Sequence, residues 1–175
     1  MAAWMKSNRL CLNPSKTQFM RCATSHRHGQ LSTAPIEFCG VQIQPETSVR
    51  NLAVIIDSAM SFQPHISSVI SSCFYQLRRM KSSLKLFPFD AASTVVNSFI
   101  ISRIDYCNSL LANSSQCALN RLQRVMNAAA RLLCHSGWRA SVSGLLRDRL
   151  YWLRVLERVE YKVCLLVFNG SELSE

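Results

Sequence analysis

The sequence predicts an α+β protein with a short β-rich start and a helical body. The first third contains short runs of β-branched and aromatic residues, whereas after Pro64 the apolar residues follow helical spacing. With 49% hydrophobic residues, the 175-residue chain can fill a folded core. We expect two domains, residues 1–62 and residues 63–175.

Strands are predicted at residues 17–23, 36–43 and 49–57, since turn signals such as Asn13-Pro14 separate the β-rich runs. Their close spacing predicts one small antiparallel sheet, which needs a helical cover to be stable. The polar stretch after the first run is predicted to be a loop. His26 and His28 in this loop are a weaker candidate for a metal site, because no closely spaced Cys or His pair completes it.

Five helices are predicted in the second domain. The first begins with Pro64 in its first turn and carries an apolar stripe from Ile66 to Leu84. Asp90 is predicted to be the N-cap of the second, over residues 91–111. The other three are predicted at residues 117–134, 145–150 and 151–168. The apolar stripe of the last helix is predicted to comprise Trp152, Val155, Leu156, Val159, Val163 and Leu166.

The helix at residues 117–134 separates apolar from basic residues. Its predicted core face consists of Leu119, Leu122, Met126, Ala129 and Leu133. Arg121, Arg124 and Arg131 are predicted to lie on nearly the opposite face. Since this helix contains no acidic residue, a phosphate-facing surface is favoured over an ordinary solvated face.

The net charge of +10 favours a polyanionic partner, most often nucleic acid and less often an acidic membrane surface. A basic protein without a specific ligand remains the alternative. A second basic cluster, Arg78, Arg79, Lys81 and Lys85, ends the first helix of the body. These cations suit either nucleic-acid contact or the negative end of the helix dipole.

The eight cysteines show no CxxC spacing, so we expect reduced thiols in an intracellular protein of the nucleus or cytoplasm. Their even number leaves a disulfide framework as the alternative, although no secretory signal supports it. The longest apolar runs are too short to span a bilayer, and no membrane partner is expected. No adjacent carboxylate pair is present to hold two magnesium ions, and no glycine-rich phosphate loop is present. The residues alone therefore predict a binding module without a catalytic or metal site.

Five blocks give the sequence a specific resemblance, which extends in order from Trp4 to about Phe168. They are WMKSNRLCLNPSKTQF, VRNLAVIIDSAMSFQPHI, SRIDYCNSLL, LQRVMNAAARLL and LYWLRVLERVEYKVCLLVF. In this order they resemble the reverse transcriptase of LINE-type (non-LTR) retrotransposons, in particular its jockey-like and chicken-repeat branch. The resemblance covers nearly the entire chain.

The resemblance implies a role for several residues. The first block would follow the paired-aspartate motif of the polymerase palm, and Lys16 would match the basic residue near the incoming nucleotide. Leu52, Ala53 and Val54 would belong to the hairpin that grips the primer, where the family usually has Leu-Gly-Val. Ala53 departs from that pattern, and its methyl group would hinder a backbone of positive φ or the close approach of a strand. The helices from Pro64 onward would form the thumb.

The resemblance therefore implies the end of the palm and the thumb of a truncated RNA-directed DNA polymerase. Because the catalytic aspartates are absent, we expect the chain alone to be inactive and Mg²⁺ to be a cofactor of the complete polymerase only. Residual binding to an RNA–DNA or DNA template–primer duplex is expected. The expected contact residues are Lys16, Leu52, Ala53, Val54, Arg78, Arg79, Lys81, Lys85, Arg121, Arg124 and Arg131. The alternative is a non-enzymatic interaction protein or a non-functional fossil of a mobile element. The oligomeric state remains open.

Overall fold

A computed structural model of the chain describes residues 2–10, 13–23, 32–137 and 139–172. The predicted loop histidines His26 and His28 lie outside these described residues. Contacts within the chain divide it into two units, Met1–Ser61 and Phe62–Glu175. This division falls one residue before the domain boundary expected from the sequence. The mixture of helices and small sheets confirms the predicted α+β class.

In its described residues, the N-terminal unit contains one short helix and short strands. The helix is α1 (Ala2–Ser7), and a 3-10 turn follows at Pro14–Lys16. The strands are β1 (Phe19–Met20), β2 (Ile36–Phe38), β3 (Val41–Ile43), β4 (Pro45–Glu46), β5 (Ser48–Asn51) and β6 (Val54–Asp57). They pair as β1 with β4, β2 with β3, and β5 with β6. The first pair is parallel and the other two are antiparallel.

The prediction of a single antiparallel sheet is therefore wrong for the described residues. Residues 36–43 and 49–57 each fold back on themselves as a hairpin, instead of forming one strand apiece. Cys39 and Gly40 turn the first hairpin with φ of 52° and 78°, and Leu52 and Ala53 turn the second with φ of 45° and 69°. Two central residues with positive φ match a type I′ turn. Leu and Ala are not typical turn residues, so the second turn was hidden in an apolar run.

The C-terminal unit is helical. Its α-helices are α2 (Gln63–Met80), α3 (Phe89–Val96), α4 (Ser102–Asp105), α5 (Gln116–Leu133), α6 (Val142–Gly144) and α7 (Val155–Glu172). The 3-10 turns are Ser83–Leu86 and Asn108–Leu111, and π turns lie at Asn97–Ile101 and Leu145–Arg149. Among the described residues, no helix is long and apolar enough to cross a membrane.

Helix α5 lies at the centre of this unit, in contact with α2, α3 and α7. Ser115 caps it, because its side-chain oxygen accepts a hydrogen bond from the Ala118 amide at 3.3 Å. The predicted core face is confirmed as fully buried. Three further residues, Ala118, Val125 and Ala130, are also buried on α5. The buried stripe is therefore wider than the predicted one, as expected for a helix with neighbours on several sides.

Several predicted helix boundaries are wrong. The second predicted helix begins at Phe89 with Pro88 as its N-cap, while Asp90 lies in the first turn without a capping hydrogen bond. Its helical run stops at Asp105 instead of residue 111, because Cys107 turns the chain with φ of 53°. The last helix begins at Val155 instead of residue 151. The Arg154 amide donates to the Glu157 carboxylate at 2.8 Å, which satisfies one free N–H at the helix start.

The end of α7 is also less buried than the sequence predicts. Trp152, Val155 and Val159 are buried, but Leu156 and Leu166 are exposed, so their predicted places in the core stripe are wrong. Val167 and Phe168 are exposed beside Leu166. The predicted apolar stripe of α7 is therefore buried only in part.

Replacement of Ala53 with Gly is predicted to stabilise the β5–β6 hairpin. A residue with a Cβ is strained by about 1–2 kcal/mol in the left-handed region, and glycine relieves this strain. Part of the resulting gain in stability is lost, because glycine has greater conformational freedom in the unfolded chain. Amide hydrogen exchange of Ile55 and Ile56 should slow by about twofold to fivefold, which corresponds to a net gain of about 0.5–1 kcal/mol.

The matched control is Ala91→Gly, at an exposed position of α3 with ordinary helical backbone. This change should destabilise its helix by about 1 kcal/mol and accelerate local exchange. Faster exchange of the hairpin amides in Ala53→Gly would contradict the assigned turn geometry.

Candidate nucleic-acid interface

Four of the predicted contact residues line one groove in the C-terminal unit. Arg78, Lys81, Lys85 and Arg131 border a space of about 630 Å³ between the end of α2, the following 3-10 turn and the end of α5. The groove also has apolar lining residues, which are Phe74, Leu77, Ala128 and Leu132. We call this surface the basic groove.

The local sequence explains why these cations face outward. Leu77 and Leu84 are buried, and they anchor the last turn of α2 and the 3-10 turn to the core. Arg78, Lys81 and Lys85 are neighbours of these anchors in the sequence, but they are exposed. Apolar burial on one side of the segment thus leaves the charged side chains on the other.

Arg131 differs from the other cations because it is half-buried. Its Nε atom is buried and has no hydrogen-bond partner among the described residues. A buried donor that remains unpaired costs about 1–3 kcal/mol, so this atom is a local cost of packing Arg131 at the edge of the groove. The guanidinium fork suits the oxygens of a phosphate.

The charge of the basic groove is unbalanced. No carboxylate occurs among its lining residues, and besides the cations it contains His135 and Ser136. Two helix C-termini lie at this groove, and the cations stabilise them through the helix dipoles. Each helix C-terminus carries the equivalent of only about half a negative charge. The dipoles therefore account for part of the clustering and leave most of the positive charge available for an anion.

The other predicted contact residues of α2 and α5 lie outside the groove. Arg79 packs over Tyr75, with its guanidinium carbon 5.6 Å from the ring centroid. Arg124 is exposed on α5. Arg121 donates hydrogen bonds to Gln63 Oε1 at 3.2 Å and to Ser67 Oγ at 3.0 Å.

Arg121 is thus a contact between α5 and α2, and the predicted open face shared by the three arginines of α5 is wrong at this position. The reason is its location around the helix. A separation of three residues turns a helix by about 300°, so Arg121 lies about 60° from Arg124, toward α2. Helical spacing showed that Arg121 is away from the core stripe, but it did not show that α2 is its neighbour.

The remaining predicted contact residues belong to the N-terminal unit. Lys16 is exposed at the end of a 3-10 turn, where the Asn13 carboxamide oxygen accepts hydrogen bonds from the Ser15 amide and hydroxyl. Leu52 is 80% exposed at the hairpin tip, with Ala53 beside it, whereas Val54 is only 4% exposed. Val54 can therefore offer little of its side chain to a ligand.

Sequence reasoning missed an ion pair between α4 and α7. Arg158 Nη1 donates to Asp105 Oδ2 at 2.7 Å, and the Arg158 side chain is only 16% exposed. Burial raises the pKa of the Asp105 carboxyl, and the charge of Arg158 opposes this rise. A partner 53 residues away leaves no local signal for this ion pair in the sequence.

The described residues contain no group of three or more His, Cys, Asp or Glu side chains that could hold a metal ion. The described cysteines are free thiols, and Cys73 is buried. Burial raises the pKa of the Cys73 thiol to about 11, which keeps it protonated at neutral pH.

Replacement of Arg121 with Ala is predicted to destabilise the protein, since two hydrogen bonds between α2 and α5 are lost. The expected cost is about 1–2 kcal/mol, because Gln63 and Ser67 lose a charged partner. Arg124→Ala on the same helix is the matched control, and this exposed change should stay within about 0.5 kcal/mol. Chemical denaturation measures both. Equal stabilities of the two variants would contradict the packing role of Arg121.

Comparisons with known proteins support a polymerase origin for part of the chain. The chain is 30% identical over 81 residues to the probable RNA-directed DNA polymerase from transposon BS of Drosophila melanogaster. The match covers 46% of this chain and 9% of that polymerase. No family model and no solved structure matches. The chain thus contains a segment similar to a small part of a transposon reverse transcriptase.

Proposed function

We propose that the chain is the palm end and thumb of a LINE-type reverse transcriptase of the jockey-like and chicken-repeat branch. In this proposal the basic groove binds the sugar–phosphate backbone of the template–primer duplex. The observation that carries it is the convergence of Arg78, Lys81, Lys85 and Arg131 on one groove without a carboxylate. The similarity to a transposon polymerase supports nucleic acid as the anion.

The chemistry of the groove suits backbone binding more than sequence reading. Lys81 and Lys85 are flexible point charges, while Arg78 and Arg131 can each donate two parallel hydrogen bonds to a phosphate. Contacts of this kind fix the position of a duplex and carry no sequence information. This is the property that a polymerase needs, because it must hold every template that it copies.

The proposal also assigns a role to the N-terminal unit. Its β5–β6 hairpin would contact the primer end through Leu52 and Ala53 at its tip, and Lys16 would lie near the nucleotide. The proposal assigns the Mg²⁺-binding carboxylates to another part of the complete polymerase, because these 175 residues contain no adjacent carboxylate pair. The chain alone would then bind template–primer without extending it.

The second candidate is a non-enzymatic interaction protein. The observation that favours it is the apolar end of α7, where Leu166, Val167 and Phe168 are exposed on successive faces of the helix. Exposed apolar patches are often protein-interaction surfaces. Concentration-dependent self-association without duplex binding would favour this candidate over the first.

The test of the proposal is a titration of the chain against a labelled RNA–DNA duplex over a series of salt concentrations. Affinity should fall steeply as salt rises, because each neutralised phosphate releases condensed counterions. Lys81→Gln and Lys85→Gln should each reduce the slope of log K against log salt by about 1.

Arg9→Gln is the matched control, since it removes one exposed positive charge from the N-terminal unit and none from the basic groove. Its slope should equal that of the parent protein. If all three variants lowered the slope equally, the binding would reflect net charge alone, and the proposed role of the groove would be wrong.

A further inference from the structure

A second cleft of the C-terminal unit has a different chemistry from the basic groove. It encloses about 340 Å³ between α5, α6 and the start of α7. One wall consists of four carboxamides on a single face of α5, which are Gln116, Asn120, Gln123 and Asn127. We call this space the carboxamide cleft.

Hydrogen bonds order the carboxamides into a ladder. Gln116 donates to Asn120 Oδ1 at 3.1 Å, and Gln123 donates to Asn127 Oδ1 at 2.9 Å. The Gln123 oxygen in turn accepts from the Val155 amide at 2.9 Å, which ties the ladder to the start of α7. The amide nitrogens of Asn120 and Asn127 form no hydrogen bond within the described part of the chain, so they remain donors for a ligand.

The rest of the cleft suits a flat ring with an anionic substituent. Leu119, Leu146 and Val155 are buried lining residues that supply an apolar wall. Arg154 lies in the same lining and brings a positive charge. No carboxylate lines this cleft, and its volume is in the range of small-ligand sites. A nucleotide combines a flat hydrogen-bonding ring with a phosphate, and thus matches each of these features.

A neighbouring cleft extends the same surface. It measures about 700 Å³ and shares Ser143, Leu146 and Arg154 with the carboxamide cleft. Tyr151 lines it and is 84% exposed, although its backbone φ is 52°. A non-glycine residue held in this region is strained, and such strain is common where a side chain serves a ligand. Here the strain holds an aromatic ring out in the solvent.

The acidic groups near the second cleft are already engaged. Glu157 lines it, and one of its oxygens accepts the Arg154 amide hydrogen. Asp148 accepts from Arg147 Nε at 2.8 Å in an exposed ion pair. The guanidinium of Arg154, by contrast, makes only a long hydrogen bond of 3.4 Å to Ser143 Oγ. Arg154 is therefore the cation best placed to exchange its partner for a phosphate.

We propose that the two clefts form a track for single-stranded nucleic acid. One base lies against the carboxamides, the next phosphate binds Arg154, and the following base stacks on Tyr151. Aromatic stacking and a cation for the backbone are the usual elements of single-strand binding. A duplex does not fit this track, because its bases are stacked on each other and paired at their edges.

The donors of Asn120 and Asn127 can pair with any base, because every base presents a ring nitrogen or a carbonyl oxygen that accepts a hydrogen bond from an amide nitrogen. The track should therefore bind single strands without a strong base preference. The proposal rests on the proposed function in one respect, which is that it takes nucleic acid as the ligand class.

The test is fluorescence anisotropy of the full chain with labelled oligo(dT). Tyr151→Asn should weaken binding by about thirtyfold, the middle of the range for loss of one stacked base. Asn tolerates a positive φ, so this variant keeps the local backbone. Arg154→Gln should also weaken binding, while Tyr161→Asn, which alters another exposed tyrosine, should leave binding unchanged.

The outcomes separate this inference from the proposed function. Lys81→Gln should lower duplex affinity and leave oligo(dT) affinity largely intact, while Tyr151→Asn should do the reverse. If folded Tyr151→Asn and Arg154→Gln both bound oligo(dT) as the parent does, the track would be refuted. Failure of duplex binding alone would overturn only the proposed role of the basic groove.

Discussion

The packing of α5 is the constraint on which the C-terminal unit depends. Its buried residues Leu122, Val125, Met126 and Ala129 have almost no exposed surface, and the helix contacts α2, α3 and α7. Interiors packed at crystal-like density allow little rotation of such a helix. Each remaining side chain of α5 therefore has a fixed direction.

The fixed rotation of α5 gives three polar regions with different tasks. On the side toward α2, Arg121 bonds Gln63 and Ser67 and serves packing. On the side toward α6 and α7, the carboxamides form a ladder at the wall of a cleft. At its end, Arg131 lines the basic groove. One helix thus links the core to both candidate ligand surfaces. Its arginines differ in task, since Arg121 stabilises the packing of helices and Arg131 lines the basic groove.

Much of the helical body could be predicted from the sequence, because helical spacing directly reports which residues face a core. The buried face of α5 and the apolar side of α2 follow from this rule. The clustering of Arg78, Lys81 and Lys85 was also visible, since these residues are close in the sequence. Arg131 joins them only through packing of α5 against α2, and no local pattern shows this.

Other features escaped prediction for identifiable reasons. The β5–β6 turn uses Leu52 and Ala53 in place of typical turn residues, so the residue pattern alone predicted one strand, and only the resemblance implied the hairpin that is present. Tyr151 adopts a positive φ that its residue type does not suggest, and the start of α7 shifted accordingly. The Asp105–Arg158 pair and the carboxamide cleft both join residues that are distant in the sequence. Sites of this kind can be recognised only when the packing of the helices is known.

The most direct test of the account is NMR mapping of the chain with an RNA–DNA duplex. We predict that chemical shifts change at Arg78, Lys81, Lys85 and Arg131, while the contact of Arg121 with Gln63 and Ser67 stays unperturbed. Changes confined to the Arg121 contact, with none in the basic groove, would contradict the account.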